Sequence, residues 1–152
     1  MEITPQIRTL DAPDALDTLE SLAVGAVAAT TLALAHARVE LTFAQWRVLM
    51  VVAEGPDGAT VGEIAASLGA AISPASRLVA RMRARGLVLT QKDAHDHRAT
   101  RVHLSELGWA VRGRVLAGRR DQLRAALERV PPLTPAAVGE LDQVARALRR
   151  TP

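Results

Sequence analysis

The stretch Ser73-Pro74-Ala75-Ser76-Arg77-Leu78-Val79-Ala80-Arg81-Met82-Arg83-Ala84-Arg85-Gly86 decides how the rest of the chain is read. Leu78, Val79 and Met82 recur at helical spacing and form an apolar side, while Ser76, Arg77, Ala80, Arg81 and Ala84 fall on outward or flanking faces. Ser73-Pro74 supplies an N-cap and a proline at the first helical position, and Gly86 closes the helix. The segment is therefore expected to be a short helix, greasy beneath and cationic above.

Two helices are expected before it. Thr42-Phe43-Ala44-Gln45 has the pattern of a capping box, in which hydroxyl and amide satisfy orphan N–H groups reciprocally. The helix it opens carries Trp46, Leu49, Met50 and Ala53 and ends at Gly55-Pro56-Asp57-Gly58. A second box, Thr60-Val61-Gly62-Glu63, opens a shorter helix with Ile64, Ala65 and Leu68, stopped at Gly69. Three short helices with a tight connection before the third make a helix-turn-helix pattern. After Gly86 the period changes: Leu87–Gln91 and Thr100–Leu104 read as strands, joined by the polar run 92–99, too polar to bury. That is a β-hairpin with an exposed tip, a wing.

The outer segments are helical. Leu16, Leu19, Ala23, Ala26, Thr30, Leu34 and Ala37 recur at spacings of three and four after the start signal Asp11-Ala12-Pro13. The other faces of this helix are apolar too, including Val24, Val27, Leu32 and Ala33, so it needs cover on more than one side, most simply from a partner subunit. Ser105 caps a helix running to about Val130, Pro131-Pro132 breaks it, and Thr134-Pro135 starts a last helix with Val138, Leu141, Ala145 and Leu148. The expected architecture is mainly α with a small β-wing. Residues 41–104 form a winged helix-turn-helix lobe, and residues 12–40 and 105–152 form a helical dimerisation layer.

Composition narrows the function. With 152 residues, 49% of them hydrophobic, the chain can bury a core, and with no cysteine it has neither disulfides nor thiolate chemistry. The apolar run Leu22–Ala35 is shorter than the ~20 residues of a bilayer span, and no basic leader precedes it, so a cytoplasmic protein with no membrane partner is expected. The net charge of +3 conceals a strong asymmetry. Residues 1–70 hold three basic and nine acidic side chains, whereas residues 72–120 hold eleven basic and three acidic. A concentrated positive field beside an acidic remainder suits a surface that meets a polyanion.

A helix-turn-helix places the N-terminal part of its second helix in the major groove of DNA. Ser73 and Ala75 are small enough for close approach there. Ser76 and Arg77 can reach base edges or phosphates, and Arg77 suits the two acceptors of guanine. Arg81, Arg83 and Arg85 are expected at phosphates. In the wing, Asp96 can hold the guanidinium of Arg98 in one orientation for the narrow minor groove. His95, His97 and His103 lie near Asp93 and Asp96, but an irregular tip does not make them a metal site; neither metal nor cofactor is expected. No catalytic triad or glycine-rich phosphate loop is present, so no enzyme is expected.

Taken in order, several motifs resemble the DNA-binding core of the MarR family of bacterial transcription regulators. They are Leu41-Thr42 with Gln45, Glu63-Ile64-Ala65 with Leu68, Arg77-Leu78-Val79, and Arg85-Gly86-Leu87-Val88. Asp93-x-x-Asp96-x-Arg98 and Val102-x-Leu104-Ser105-x-x-Gly108 complete the set. The resemblance covers about half the chain and implies a homodimer with intertwined terminal helices. It also implies a recognition helix over Ser73–Arg85, including Pro74, and a wing arginine at Arg98 reaching the minor groove. Where the family often carries acidic residues, this helix has Ala80 and Arg83, and Ala75 stands where a bulkier residue is common.

Family members often respond to small aromatic or anionic molecules bound between the dimer helices and the DNA-binding lobe. The corresponding crevice would be lined by His36, Trp46, Trp109 and Arg112, although both tryptophans also suit a core. The expected function is a sequence-specific regulator, a repressor of a palindromic operator on double-stranded DNA, modulated by a small effector. The alternative is a winged-helix protein–protein module that binds an acidic partner.

Overall fold

The computed structural model describes residues 14–37, 40–93 and 99–150. Among the described residues there are six helices, α1 Ala15–His36, α2 Phe43–Glu54, α3 Val61–Leu68, α4 Ile72–Ala84, α5 Glu106–Leu127 and α6 Pro135–Arg150, and one small sheet. The strands are β1 Ala59–Thr60, β2 Val88–Lys92 and β3 Thr100–Leu104. Within the sheet the pairing is antiparallel in the order β1-β3-β2, with Val88 opposite Leu104 and Lys92 opposite Thr100.

Local chemistry sets most boundaries. Both capping boxes form: Thr42 and Gln45 exchange bonds at the start of α2, and Thr60 and Glu63 do so at α3. Asp14 caps α1, its carboxylate accepting from the Leu16 N–H at 3.3 Å. Gly69 ends α3 with φ at +62°, in the left-handed region that glycine enters freely.

Three expectations are corrected. The cap of α4 is Ala71, with no side-chain hydrogen bond, so Ser73 and Pro74 lie second and third in the helix. Proline fits there because the first four helical N–H groups lack intrahelical acceptors anyway. Ile72 thereby becomes the first helical residue. The long helix α5 ends at Leu127, and residues 128–130 continue only as hydrogen-bonded turns. Ala75 is 1% exposed and turned into the core, so it cannot be a point of close approach to a ligand.

One strand had no signal. The two-residue β1 exists because Ala59 and Thr60 pair with Val102 and Arg101. The wing is consequently anchored to the lobe along a third strand.

The core lies beneath the lobe. Val48, Leu49, Ile64, Met82, Leu87, Val88 and Val102 are fully buried, and Val111 and Val115 carry the same cluster into α5. Trp46, at 3% exposure, belongs to it. Helix α1 packs on α5 through its C-terminal half, where Ala29, Thr30, Ala33 and Leu34 are buried. Leu16, Leu22 and Val24 in its N-terminal half, and Val27 just beyond it, are exposed. With 22 residues and a mean hydropathy of 1.5 over its most apolar window, α1 is long and apolar enough to cross a membrane by those measures alone. Helix α6 makes no extensive contact with any other described element, and its Val138, Leu141 and Leu148 are exposed.

Candidate nucleic-acid interface

Helix α4 has four sides with four roles. Ala75, Leu78, Val79 and Met82 form the buried side. At ~100° per residue, Ser73, Arg77, Ala80 and Ala84 lie opposite them, facing outward. Ile72, Ser76 and Arg83 occupy the flank toward the wing, and Pro74 and Arg81 the other flank. The two flanks border two separate clefts. A cleft of about 360 Å³ beside the wing is lined by Ile72, Ser76, Thr60, Gly62 and Thr100. The other, about 420 Å³, is lined by Pro74, Arg81, Phe43, Arg47 and Leu68.

The arginines of α4 divide into tethered and free. Arg83 donates from Nη1 to Thr90 Oγ1 of β2 at 3.3 Å, joining α4 to the wing. Arg85 donates from Nη1 to Gln45 Oε1 at 3.3 Å, and the same oxygen accepts from the Thr42 N–H. Gln45 is 7% exposed, so this bond locks the end of α4 against the start of α2. Arg77 and Arg81 have no hydrogen-bond or ion-pair partner among the described residues. Ser73, Pro74, Ser76, Arg77, Arg81 and Arg83 are all exposed and on one helix.

At the base of the wing a charge cluster appears that sequence reasoning missed. Asp93 is 4% exposed, and its Oδ2 accepts from Arg101 Nε at 2.5 Å, with Arg101 Nη2 also at 2.5 Å. Arg101 Nη1 donates further to the Asp57 carbonyl at 3.2 Å. The hydrogen bond to Asp93 pushes the Arg101 pKa up, so its charge is permanent. Across the strand, His103 Nε2 and Gln91 Nε2 lie 2.7 Å apart. Glu63 is held below the usual carboxylate range, first by the Thr60 backbone N–H and then by its hydroxyl. The only signal for the Asp93–Arg101 pair was hairpin register, since eight residues separate them along the chain but the two strands bring them together. Asp96 and Arg98, with His95 and His97, lie outside the described residues, so their placement is not part of this geometry.

The four residues expected to line a ligand crevice are dispersed in character. Trp46 is core, and His36 ends α1 with Nδ1 2.7 Å from the Leu32 carbonyl oxygen. Trp109 is half exposed, and the Arg112 guanidinium sits over its ring at 5.6 Å from the centroid. The Nε atoms of Arg112 and Arg119, seven residues apart on α5, are buried without a hydrogen-bond partner among the described residues.

A third helix, α4, held by two others and flanked by a sheet-anchored hairpin defines a winged helix-turn-helix protein. Residues 40–99, the winged lobe, match the family model described as MarR family. The shared fold extends beyond the lobe. RV1404 from Mycobacterium tuberculosis superposes with a TM-score of 0.75 at 20% identity, over 93% of this chain and 99% of that one. A MarR family protein from Bacillus stearothermophilus gives 0.71 at 25% identity, over 89% and 90%. CouR from Rhodococcus jostii RHA1, solved with p-coumaroyl-CoA bound, gives 0.69 at 21% identity, over 92% and 94%. No curated protein sequence matches the chain.

Proposed function

We propose that this protein is a homodimeric, sequence-specific DNA-binding transcription regulator, acting as a repressor in the cytoplasm. The observation that carries the reading is the solvent-exposed surface of α4, its outward face and both flanks. It presents Ser73, Ser76, Arg77 and Arg81 to solvent, with both arginines unpartnered among the described residues, while the opposite face is sealed in the core. Unpaired guanidinium groups on a helix narrow enough for the major groove are donors for phosphate and guanine. The polar wing supplies a second contact, with Arg98 entering the adjacent minor groove and Asp96 orienting it.

Homodimerisation is supported by what the single chain leaves uncovered. The apolar residues of α1 and α6, together with Leu123 and Leu127 of α5, form surface that a second copy would bury. A two-fold pair would space two recognition helices by ~34 Å, one turn of duplex, and read a palindrome. A small anionic or aromatic effector is the regulator in this scheme. The buried donors on Arg112 and Arg119, with the Trp109 ring beside Arg112, suit a carboxylate or phosphate bearing an apolar body. CouR was solved with such a molecule. A ligand that binds only a conformation with mis-spaced recognition helices lowers DNA affinity by population shift.

The test is a mobility-shift titration with the duplex upstream of the protein's own gene, beside a scrambled duplex. Preference for the former is expected, and Arg98→Ala should weaken it markedly at fixed salt. Equal, weak binding to every duplex, with tight salt-sensitive binding to an acidic protein, would replace this reading with a protein–protein module.

A further inference from the structure

Helix α4 begins two residues earlier than its serine–proline signal indicates, and the first of the residues this adds is an isoleucine. Ile72 is 65% exposed, among the most exposed large apolar side chains in the lobe. It stands in the first turn, the part of a recognition helix that goes deepest into the major groove. Its β-branched side chain has little rotamer freedom to lose on contact, since such residues are stiff at χ1. One turn on, Ser76 shares its flank, and both line the cleft bordered by Thr60 and Thr100 at the wing's base.

From this placement we infer that Ile72 is a specificity-determining residue that reads thymine through its C5-methyl group. The inference rests on the DNA-binding reading above and adds a base to it. The floor of the major groove carries donors and acceptors throughout, and its one apolar feature is the thymine methyl. Ile72 has no hydrogen-bonding atom in its side chain, so among base edges it can prefer only that group. The hydroxyls of Ser73 and Ser76 tolerate several bases, and Arg77 prefers guanine. Ile72 and Arg77 are five residues apart, ~7.5 Å along the helix axis, about two base-pair steps. Each half-site should therefore carry a thymine about two steps from the guanine read by Arg77.

The experiment starts from a random duplex library enriched on the purified full-length protein. In the enriched duplex each thymine is then replaced singly by deoxyuridine, which removes the methyl and leaves pairing intact. At one position per half-site, the wild type should lose about four-fold in affinity. That factor corresponds to ~0.8 kcal/mol for one methyl group withdrawn from burial. Ile72→Ala should bind the thymine and uracil duplexes equally, and Ile72→Thr, which keeps one methyl, should show an intermediate ratio. Circular dichroism of both variants should match wild type, because the side chain is exposed. Indifference of the wild type to uracil at every position overturns the inference, as does an unchanged thymine preference in Ile72→Ala. Either result leaves DNA binding itself intact. A library that does not enrich at all overturns the DNA-binding reading and this inference with it.

Discussion

Replacing Gly108 by alanine tests how the winged lobe is joined to the long helix α5. Gly108 is the third residue of α5, and its N–H donates to the capping Ser105 hydroxyl at 3.0 Å. Ser105 in turn donates from its backbone N–H to the Leu87 carbonyl at 3.2 Å and from its hydroxyl to the Gly86 carbonyl at 2.5 Å. A Cβ on Gly108 would fall well inside van der Waals contact of the Leu87 carbonyl oxygen, 3.3 Å from its carbon and 3.5 Å from the Leu104 Cβ. The obstacle is backbone already engaged with Ser105, so it cannot rotate away as a side chain would. Overpacking costs ~1–3 kcal/mol, and this site belongs at the upper end. Alanine returns up to ~1 kcal/mol of helix propensity, leaving a net loss of about 2 kcal/mol. For a chain of this size that lowers the melting midpoint by ~4–8 °C. The comparison is Gly118→Ala in the same helix, whose Cβ would meet Ala33 at an ordinary 3.6 Å and whose stability should hold or rise. Urea unfolding of both variants at equal protein concentration measures the difference. If Gly108→Ala proves as stable as Gly118→Ala, the close approach of α5 to the wing is not what fixes this joint.

Three other outcomes follow from the geometry. Arg81→Ala should weaken binding to all duplexes alike and lower the slope of log affinity against log salt by ~0.9, read from anisotropy titrations at several salt concentrations; a sequence-selective loss would contradict a phosphate role. Leu141→Asp places a charge on the exposed apolar face of α6 and, on the proposed homodimer, should leave the protein monomeric at micromolar concentration, as sedimentation will show. The Glu63 pKa is lowered in the fold, so the stability its charge adds is complete above about 4.5 and disappears as pH falls through the lower folded value. Glu63→Gln should accordingly be slightly less stable than wild type at neutral pH, by well under ~1 kcal/mol for so exposed a group, and the gap should narrow in thermal melts as pH falls below about 4.5.

What could be read from the sequence was what is decided within a few residues. Thr42 with Gln45, and Thr60 with Glu63, satisfy orphan N–H groups at a spacing of three, and both helices begin where that spacing places them. The strand Thr100–Leu104 was legible because its burial alternates within five residues. Features decided by distant partners were not. β1 is two residues long and owes its existence to Val102 and Arg101, more than forty positions away. Ser73-Pro74 carries a valid start signal, yet Ala71 and Ile72 continue the helix backward without violating any local rule. Within the site, the cationic face of α4 was visible in the sequence. That Arg83 and Arg85 are tied to Thr90 and Gln45 while Arg77 and Arg81 are not depends on the third dimension.

Helix α6 has no extensive contact with the other described elements, and a helix of 16 residues in water is only marginally stable by itself. If pairing supplies its support, newly synthesised copies at low abundance spend longer with that segment frayed and open to proteases. Molecules that meet a twin escape this fate. Cellular turnover would then fall as supply rises, and the amount of working regulator would climb more steeply than its rate of synthesis.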